Sequence, residues 1–324
     1  MSAPVTISVV IPTYNGLARL TTTIASVLAQ TSPATEIIVV DDGSTDDTPR
    51  IQEIYGDRIL YKRVENGGQQ RARNIGVAMA TGEWIALLDH DDQFEPEYLA
   101  EVRALIDAYP NVDATISNSR TWQEAGHWEH ASKFTDHAPV GYWEAVGAKP
   151  NDRWSILDRY DYVRYLDFHP AQTSMFVVKS AVYEAIGGFD ERMRGSGAEN
   201  FEFEMRLLRI APVGLIWQPL VRMIRHTSNL SLDGNRMAMD VVDCLQFAAR
   251  EHGLDEREQA IVAAEIQSRL PHAISGAFAL QDFKALRRYE ALALGDLPWK
   301  LRLKSAIGQL PQPLARRLAT TLTS

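Results

Sequence analysis

The sequence predicts an α/β fold: a mainly parallel, doubly wound sheet flanked by helices, followed by a helical C-terminal extension. Three observations carry that prediction. Short β-branched and apolar runs alternate with stretches of helical spacing through the first third of the chain. One run, Trp84 to Leu88, is five apolar residues in a row, as in a strand buried on both faces. Each run ends in polar turn residues, and right-handed crossovers would gather those turns on one rim of the sheet, where open α/β folds bind ligands.

Thr6 to Ile11 is the first predicted strand, broken at Pro12 and followed by the turn chemistry of Thr13-Tyr14-Asn15-Gly16. Leu17, Leu20, Ile24, Val27 and Leu28 then recur at helical spacing. Glu36 to Val40 is a second strand, ending in Asp41-Asp42-Gly43-Ser44-Thr45-Asp46, where Ser44 or Asp46 can cap the helix that carries Ile51 and Ile54. Ile59 to Val64 is a third strand, Asn66-Gly67-Gly68 a break, and Gln69 to Ala80 a helix. The fourth strand, Trp84 to Leu88, runs straight into Asp89-His90-Asp91-Asp92. After a helix from Glu97 to Ala108 and a strand at Val112 to Ser117, the stretch 118–169 holds four of the seven tryptophans and four histidines, His127, His130, His137 and His169. The histidines lack the tight spacing of a zinc site, so none is read as a ligand. Gln172 to Val178 resumes strand character, and Ser180 to Ile186 is a helix stopped by Gly187-Gly188. A small-residue loop, Gly195 to Ala198, precedes a helix opened by Glu199, and Val213 to Trp217 and Leu220 to Ile224 read as two late strands. From Asn235 the pattern becomes helical, over Met237 to His252, Glu256 to Leu270 and Asp282 to Ala293.

A net charge of −9 argues against a general nucleic-acid binder. One cysteine, Cys244, excludes an internal disulfide framework, and its helical, apolar spacing predicts a buried thiol. With no signal-like or bilayer-length apolar stretch, the expectation is a cytoplasmic protein. Its last segment, Leu297 to Ser324, has no acidic residue and interleaves Lys300, Arg302, Lys304, Arg316 and Arg317 with leucines and Trp299. Such a tail either lies peripherally on an anionic membrane surface, at the inner face, or packs on the acidic body of the protein.

Asp89 and Asp91 are two apart, so in extended backbone they point to one side. Close carboxylates repel, and a hard divalent cation relieves this; held by one or two carboxylates, it keeps positions open for phosphate oxygens. The plain alternative is an acidic loop whose aspartate caps the next helix. No Gly-x-Gly-x-x-Gly follows the first strand and no Gly-Lys-Ser/Thr loop is present, which argues against an ordinary dinucleotide or ATP cradle.

Six segments in order resemble the family 2 glycosyltransferases, of glycosyltransferase-A fold. They are Ser8 to Asn15, Val39 to Asp46, Gly68 to Asn74, Asp89 to Asp92 (the Asp-x-Asp element), Gly187 to Glu191, and Arg225-His226. The resemblance spans roughly residues 5–232. It implies a catalytic domain over 1–234, with a nucleotide-sugar half to about 117 and an acceptor half beyond, and an extension over 235–324. It further implies an inverting, metal-dependent hexosyltransferase that uses a UDP- or dTDP-sugar and a saccharide or lipid-linked saccharide acceptor, as in surface-polysaccharide synthesis. By the same resemblance Pro12, Thr13, Tyr14, Asp41, Asp42, Arg71, Arg73, Asp89 and His90 line the nucleotide, while Asp89, Asp91 and His226 hold Mg²⁺ or Mn²⁺. Trp122, Trp128, Trp143 and Trp154, with Asn200, are the acceptor-side candidates. One departure stands out: the family's Glu-Asp is here Glu199-Asn200, and an amide cannot accept a proton as a carboxylate does. Glu199 is then the candidate base and Glu202 the reserve; the alternative is a catalytically weak nucleotide-sugar-binding protein. The sequence leaves the oligomeric state open.

Overall fold

The computed structural model describes residues 4–124, 126–150, 152–158, 162–193, 198–227 and 233–323. The predicted loop residues Gly195 to Gly197 therefore lie outside the described residues. Two compact units divide the chain, Met1–Arg194 with Phe203–His226, and Gly195–Glu202 with Thr227–Ser324.

Among the described residues, the first unit is built on a ten-stranded sheet: β1 (Ile7–Thr13), β2 (Glu36–Asp41), β3 (Leu60–Arg63), β4 (Trp84–Leu87), β5 (Gln93–Phe94), β6 (Ala114–Gln123), β7 (His127–His130), β8 (Trp154–Leu157), β9 (Phe176–Lys179) and β10 (Val213–Arg225). The order is β3-β2-β1-β4-β9-β6-β10-β5, with β7 on β6 and β8 on β10. The first four strands are parallel; β1 and β4 are buried end to end, as their apolar runs predict, while β3, at the edge of the sheet, is largely exposed. The helix Gln69–Met79 packs so closely on this sheet that a Cβ on Gly76 would stand 2.4 Å from Val10 Cγ1.

Two features depart from the expected pattern. β9 enters the sheet antiparallel to β4 and β6, so the sheet is mixed. Its amino end consequently lies beside the carboxyl end of β4, and the segment that precedes it joins the rim. The two late strands are one, β10, with register shifts at Ile216/Pro219 and Pro219/Val221. Pro219 has no N–H to give the ladder, and a bulge accommodates that lack without ending the strand.

The second unit is helical: Gly234–Glu251, Glu256–Ala279, Phe283–Glu290, Trp299–Gly308 and Gln312–Thr323, with the first residues of the helix Glu199–Ile210. Aspartate caps hold several of the helix starts. Asp233 accepts from Arg236 N, Asp282 from Ala285 N, and Asp255 with Glu258 forms a reciprocal capping box. The second helix does not stop at Leu270 but runs through Pro271. Burial of Ala273, Ile274, Ala277 and Phe278 beyond the proline outweighs the roughly 3 kcal/mol that an interior proline costs. Close helix approach is visible at Gly276, where a Cβ would lie 2.5 Å from Asn235 O. Cys244 is buried here, as its spacing predicts. No helix among the described residues is long and apolar enough to cross a membrane.

Candidate active site

The rim of the first unit collects the turns after β1, β2, β3 and β4, and side chains of Asn15, Asp41, Asp42 and Ser44 make hydrogen bonds that shape them. After β1, Pro12 and Thr13 are buried in the strand end, and Thr13 O accepts Asp42 N at 2.8 Å. Asn15 takes a left-handed φ of 50° and is held there by Ser44 Oγ on its N–H (2.9 Å) and by Thr45 N on its Oδ1 (2.7 Å). Tyr14, between them, is 45% exposed and stands out from the rim.

Asp41 and Asp42, both buried, organise the neighbouring loops. Asp41 accepts Ser44 N at 2.8 Å and the Tyr61 hydroxyl at 2.6 Å. Burial, then the Asp41 carboxylate, pushes the Tyr61 phenol well above its ordinary range. Asp42 accepts both Gly67 N (2.7 Å) and Gly68 N (2.8 Å), and Gly68 itself needs a φ of 96°. The carboxylate expected to touch a nucleotide base is thus engaged in folding the loop after β3. Arg71 lies over Gly67 and donates to Glu65 O at 3.2 Å. Arg73 is fully buried, with Nη2 2.6 Å from Asp89 Oδ1 and its guanidinium over the Phe189 ring at 4.8 Å.

Past Leu87 the acidic run is a turn, with Asp92 N donating to Asp89 O at 3.1 Å, so it does not keep the extended geometry expected of it. Its three carboxylates therefore go to three different partners. Asp89 meets Arg73; Asp91 Oδ2 lies 2.8 Å from His226 Nε2; buried Asp92 accepts Ser174 Oγ (2.6 Å) and Ile224 N (3.1 Å). Burial, then the charges of Asp91 and Asp89, push the Asp92 carboxyl well above the usual carboxylate range. None of them caps the following helix, whose N-cap is Glu97. His90 lies against Gly16, where an added Cβ would be 2.6 Å from the imidazole. Ser174, unmarked by sequence, also accepts Asp89 N at 3.1 Å and so ties the segment before β9 to the acidic turn.

Among the described residues no group of three His, Cys, Asp or Glu side chains forms a ready metal cage. Asp91 and His226 nevertheless bring a carboxylate oxygen and an imidazole nitrogen to one place, with Asp89 two residues away. That donor set suits a Mg²⁺ or Mn²⁺ ion that completes its shell with phosphate oxygens.

The acceptor-side tryptophans divide. Trp143 is buried among Phe134, Tyr142, Phe168 and Trp217, with its indole N–H on Phe134 O at 2.7 Å, so it is core rather than an open platform. Trp154 donates to Glu101 Oε1 at 2.8 Å. Trp122 and Trp128 meet edge-on at 4.7 Å, and Trp128, 41% exposed, carries Arg120 over its face at 4.4 Å. In the second unit Glu199 is buried, and Glu202 is buried in a pair with His252 Nε2 at 3.0 Å.

Sequence reading missed Glu204. It is fully buried in the helix Glu199–Ile210, and its Oε2 receives both the Tyr165 hydroxyl and His169 Nε2. One signal was available: Phe201, Glu204 and Leu208 share helical spacing, so a carboxylate interrupts an apolar stripe.

A mixed sheet flanked by helices, with its polar turns and an acidic motif at the carboxyl ends of parallel strands, defines a glycosyltransferase-A fold. The solved structure of S. aureus TarS residues 1–349 in complex with UDP shares that architecture, with a TM-score of 0.62 over 98% of this chain and 92% of that one, at 20% identity. Residues 8–179, more than half of the 324, match the family described as Glycosyl transferase family 2, and the chain belongs to that family. An uncharacterized glycosyltransferase of Rickettsia typhi is 29% identical over 231 residues, 70% of this chain and 67% of that protein. The uncharacterized glycosyltransferase YibD of Escherichia coli is 39% identical over 93 residues, 28% of this chain and 27% of that protein. The chain is a glycosyltransferase.

Proposed function

We propose that this glycosyltransferase moves a sugar from a UDP- or dTDP-sugar to a hydroxyl of a saccharide or lipid-linked saccharide, with inversion at the anomeric carbon. The observation that carries the reading is the turn Asp89 to Asp92, whose Asp91 carboxylate meets His226 at the mouth of parallel strands. Solved TarS structures hold UDP and UDP-GlcNAc, which makes these the first ligands to try.

In this reading the exposed Tyr14 faces the base, with Pro12 and Thr13 forming the floor. Asp41 and Asp42 act through the loops they fold rather than by direct contact. Arg73 neutralises Asp89 and holds it in place; Arg71 and His90 flank the nucleotide. Asp91 and His226, with Asp89, would hold Mg²⁺ or Mn²⁺, which when bound offsets the charge that grows on the diphosphate leaving group. The acceptor hydroxyl approaches from the face opposite the diphosphate, and alignment there supplies much of the rate. Calorimetric titration with UDP, dTDP and GDP, with and without Mn²⁺, tests the donor site. Binding of one nucleotide that requires metal and vanishes in Asp91→Ala supports the reading; no metal-dependent binding refutes it. A bound donor that is neither hydrolysed nor transferred would favour the weakly catalytic alternative that Asn200 suggests.

A second reading concerns the helices Trp299–Gly308 and Gln312–Thr323. Trp299 and Leu303, and Leu314, Leu318 and Leu322, form exposed stripes at four-residue spacing beside five basic residues in a segment without acidic ones. Apolar stripes rimmed by Lys and Arg suit the peripheral surface of an anionic membrane, here the inner face.

A further inference from the structure

We propose that His169, held by the buried carboxylate of Glu204, takes the proton from the acceptor hydroxyl. The inference rests on the transferase reading above and fills the role that Asn200 leaves open.

The residues read as candidate bases are poorly suited to it. Asn200 has no basic oxygen, Glu199 is buried, and Glu202 is buried against His252. Glu204 is different. It lies at 0% exposure, on a helix whose Met205, Leu207 and Leu208 are also buried. A buried carboxylate is kept only where partners offset its lost hydration. Here Tyr165 and His169 both meet Oε2, and the Lys133 ammonium lies close enough to interact by charge. Oε1 has no hydrogen-bond partner among the described residues, and an unsatisfied buried carboxylate oxygen calls for an explanation.

His169 links that buried carboxylate to solvent. A third of its side chain is exposed, and its ring stands edge-on to Tyr165 at 5.2 Å. It lies five residues before Ser174, which touches both Asp89 N and Asp92 Oδ2. Five residues span at most about 17 Å, a limit within reach of a bound sugar diphosphate and its acceptor. A second tie runs through Lys133, whose Nζ donates to Ala171 O at 3.3 Å and which feels the charge of Arg225, the neighbour of His226. The antiparallel entry of β9 puts this segment on the catalytic rim.

The chemistry balances without a further reagent. Glu204 accepts from Nε2–H, which sets the tautomer that makes Nδ1 the basic nitrogen. The acceptor O–H gives its proton to Nδ1 as its oxygen bonds to the anomeric carbon. The bond from that carbon to the diphosphate oxygen breaks, and its electron pair leaves with the nucleoside diphosphate. Glu204 stabilises the imidazolium, which then returns its proton to solvent. Among the described residues, Tyr165 and Lys133 face the Glu204 carboxylate, and Arg225 acts on Lys133. His169 is the catalytic residue and Glu204 the positioning one.

The test uses the full chain and a panel of UDP-glucose, UDP-GlcNAc, dTDP-rhamnose and GDP-mannose, with water as the acceptor and nucleotide release as the readout. For the donor that the wild type hydrolyses fastest, His169→Gln should lower kcat about 10²–10⁴-fold, the range of general-base catalysis, with nucleotide affinity unchanged by calorimetry. Glu204→Gln should lower kcat at least about tenfold and displace the acidic limb of the pH–rate profile. Added imidazole should restore part of the activity of His169→Ala. Undiminished kcat in His169→Gln, or a loss of nucleotide binding that imidazole does not relieve, would overturn the assignment. If the wild type binds a donor but neither hydrolyses it nor transfers its sugar to an added saccharide, the weakly catalytic alternative holds and this inference falls with the proposed transfer; normal turnover with an insensitive His169 removes only the inference.

Discussion

Asp42 separates two views of the acidic turn after β2, because the same carboxylate can serve a ligand or the fold. It is 4% exposed and accepts Gly67 N at 2.7 Å and Gly68 N at 2.8 Å. Hydrogen bonds to a charged group contribute about 1.5–3 kcal/mol each, so Asp42→Ala forfeits at most about 3–6 kcal/mol. Water entering the loop recovers part of that, which leaves an expected loss of about 2–4 kcal/mol. Asp42→Asn keeps one acceptor oxygen and turns an NH₂ towards the other N–H, for an expected loss of about 1.5–3 kcal/mol. Against a typical total stability of about 5–15 kcal/mol either change is easily measured. Urea titrations should show a lower midpoint at unchanged slope, with nucleotide affinity falling in step. Wild-type stability within about 0.5 kcal/mol, with nucleotide binding alone abolished, would show that the carboxylate serves the ligand and would refute the loop-folding account.

Other consequences follow from particular contacts. Gly276→Ala gains about 1 kcal/mol of helix propensity but drives a Cβ to 2.5 Å from Asn235 O. The clash should win, with a net loss of about 1–2 kcal/mol by thermal unfolding, and a stabilised variant would contradict the close approach. Burial holds the Lys133 ammonium down at about 8, below its ordinary value. Between about pH 8 and 10 the unfolded chain therefore binds more protons at this site than the folded one, so the site's contribution to stability rises with pH, by at most about 1.4 kcal/mol per pH unit. Urea midpoints at pH 8, 9 and 10 should lose that upward slope in Lys133→Met, and an unaltered slope would discount the site. Replacing Leu314, Leu318 and Leu322 with serine should leave the melting temperature within a few degrees but cut binding to phosphatidylserine vesicles at least about tenfold. Binding that ignores both the leucines and added salt would exclude the membrane reading.

The order of elements through the first four strands was legible because it follows from short-range chemistry. A strand buried on both faces must be apolar throughout, and its end must be polar, so β1, β2 and β4 announce themselves. The antiparallel entry of β9 was not legible, since Phe176 to Lys179 reads alike in either direction. The proline in β10 and the one in the helix Glu256–Ala279 looked like ends because local propensity says so; a bulge in one case and buried neighbours in the other overrode it.

The site divides along the same line. The acidic motif, the late histidine and the loss of the usual aspartate at Asn200 are facts of composition at fixed positions, and the sequence alone determined them together with the family. Only the tertiary structure decided which carboxylate meets which partner: Asp91 with His226, Asp89 with Arg73, Asp42 with two backbone N–H groups, Glu204 with His169. The paired residues lie between 16 and 135 positions apart for the first two and 35 apart for the last. Whether a carboxylate is offered to a ligand or taken up by the fold depends on burial and on long-range neighbours, which no local pattern encodes.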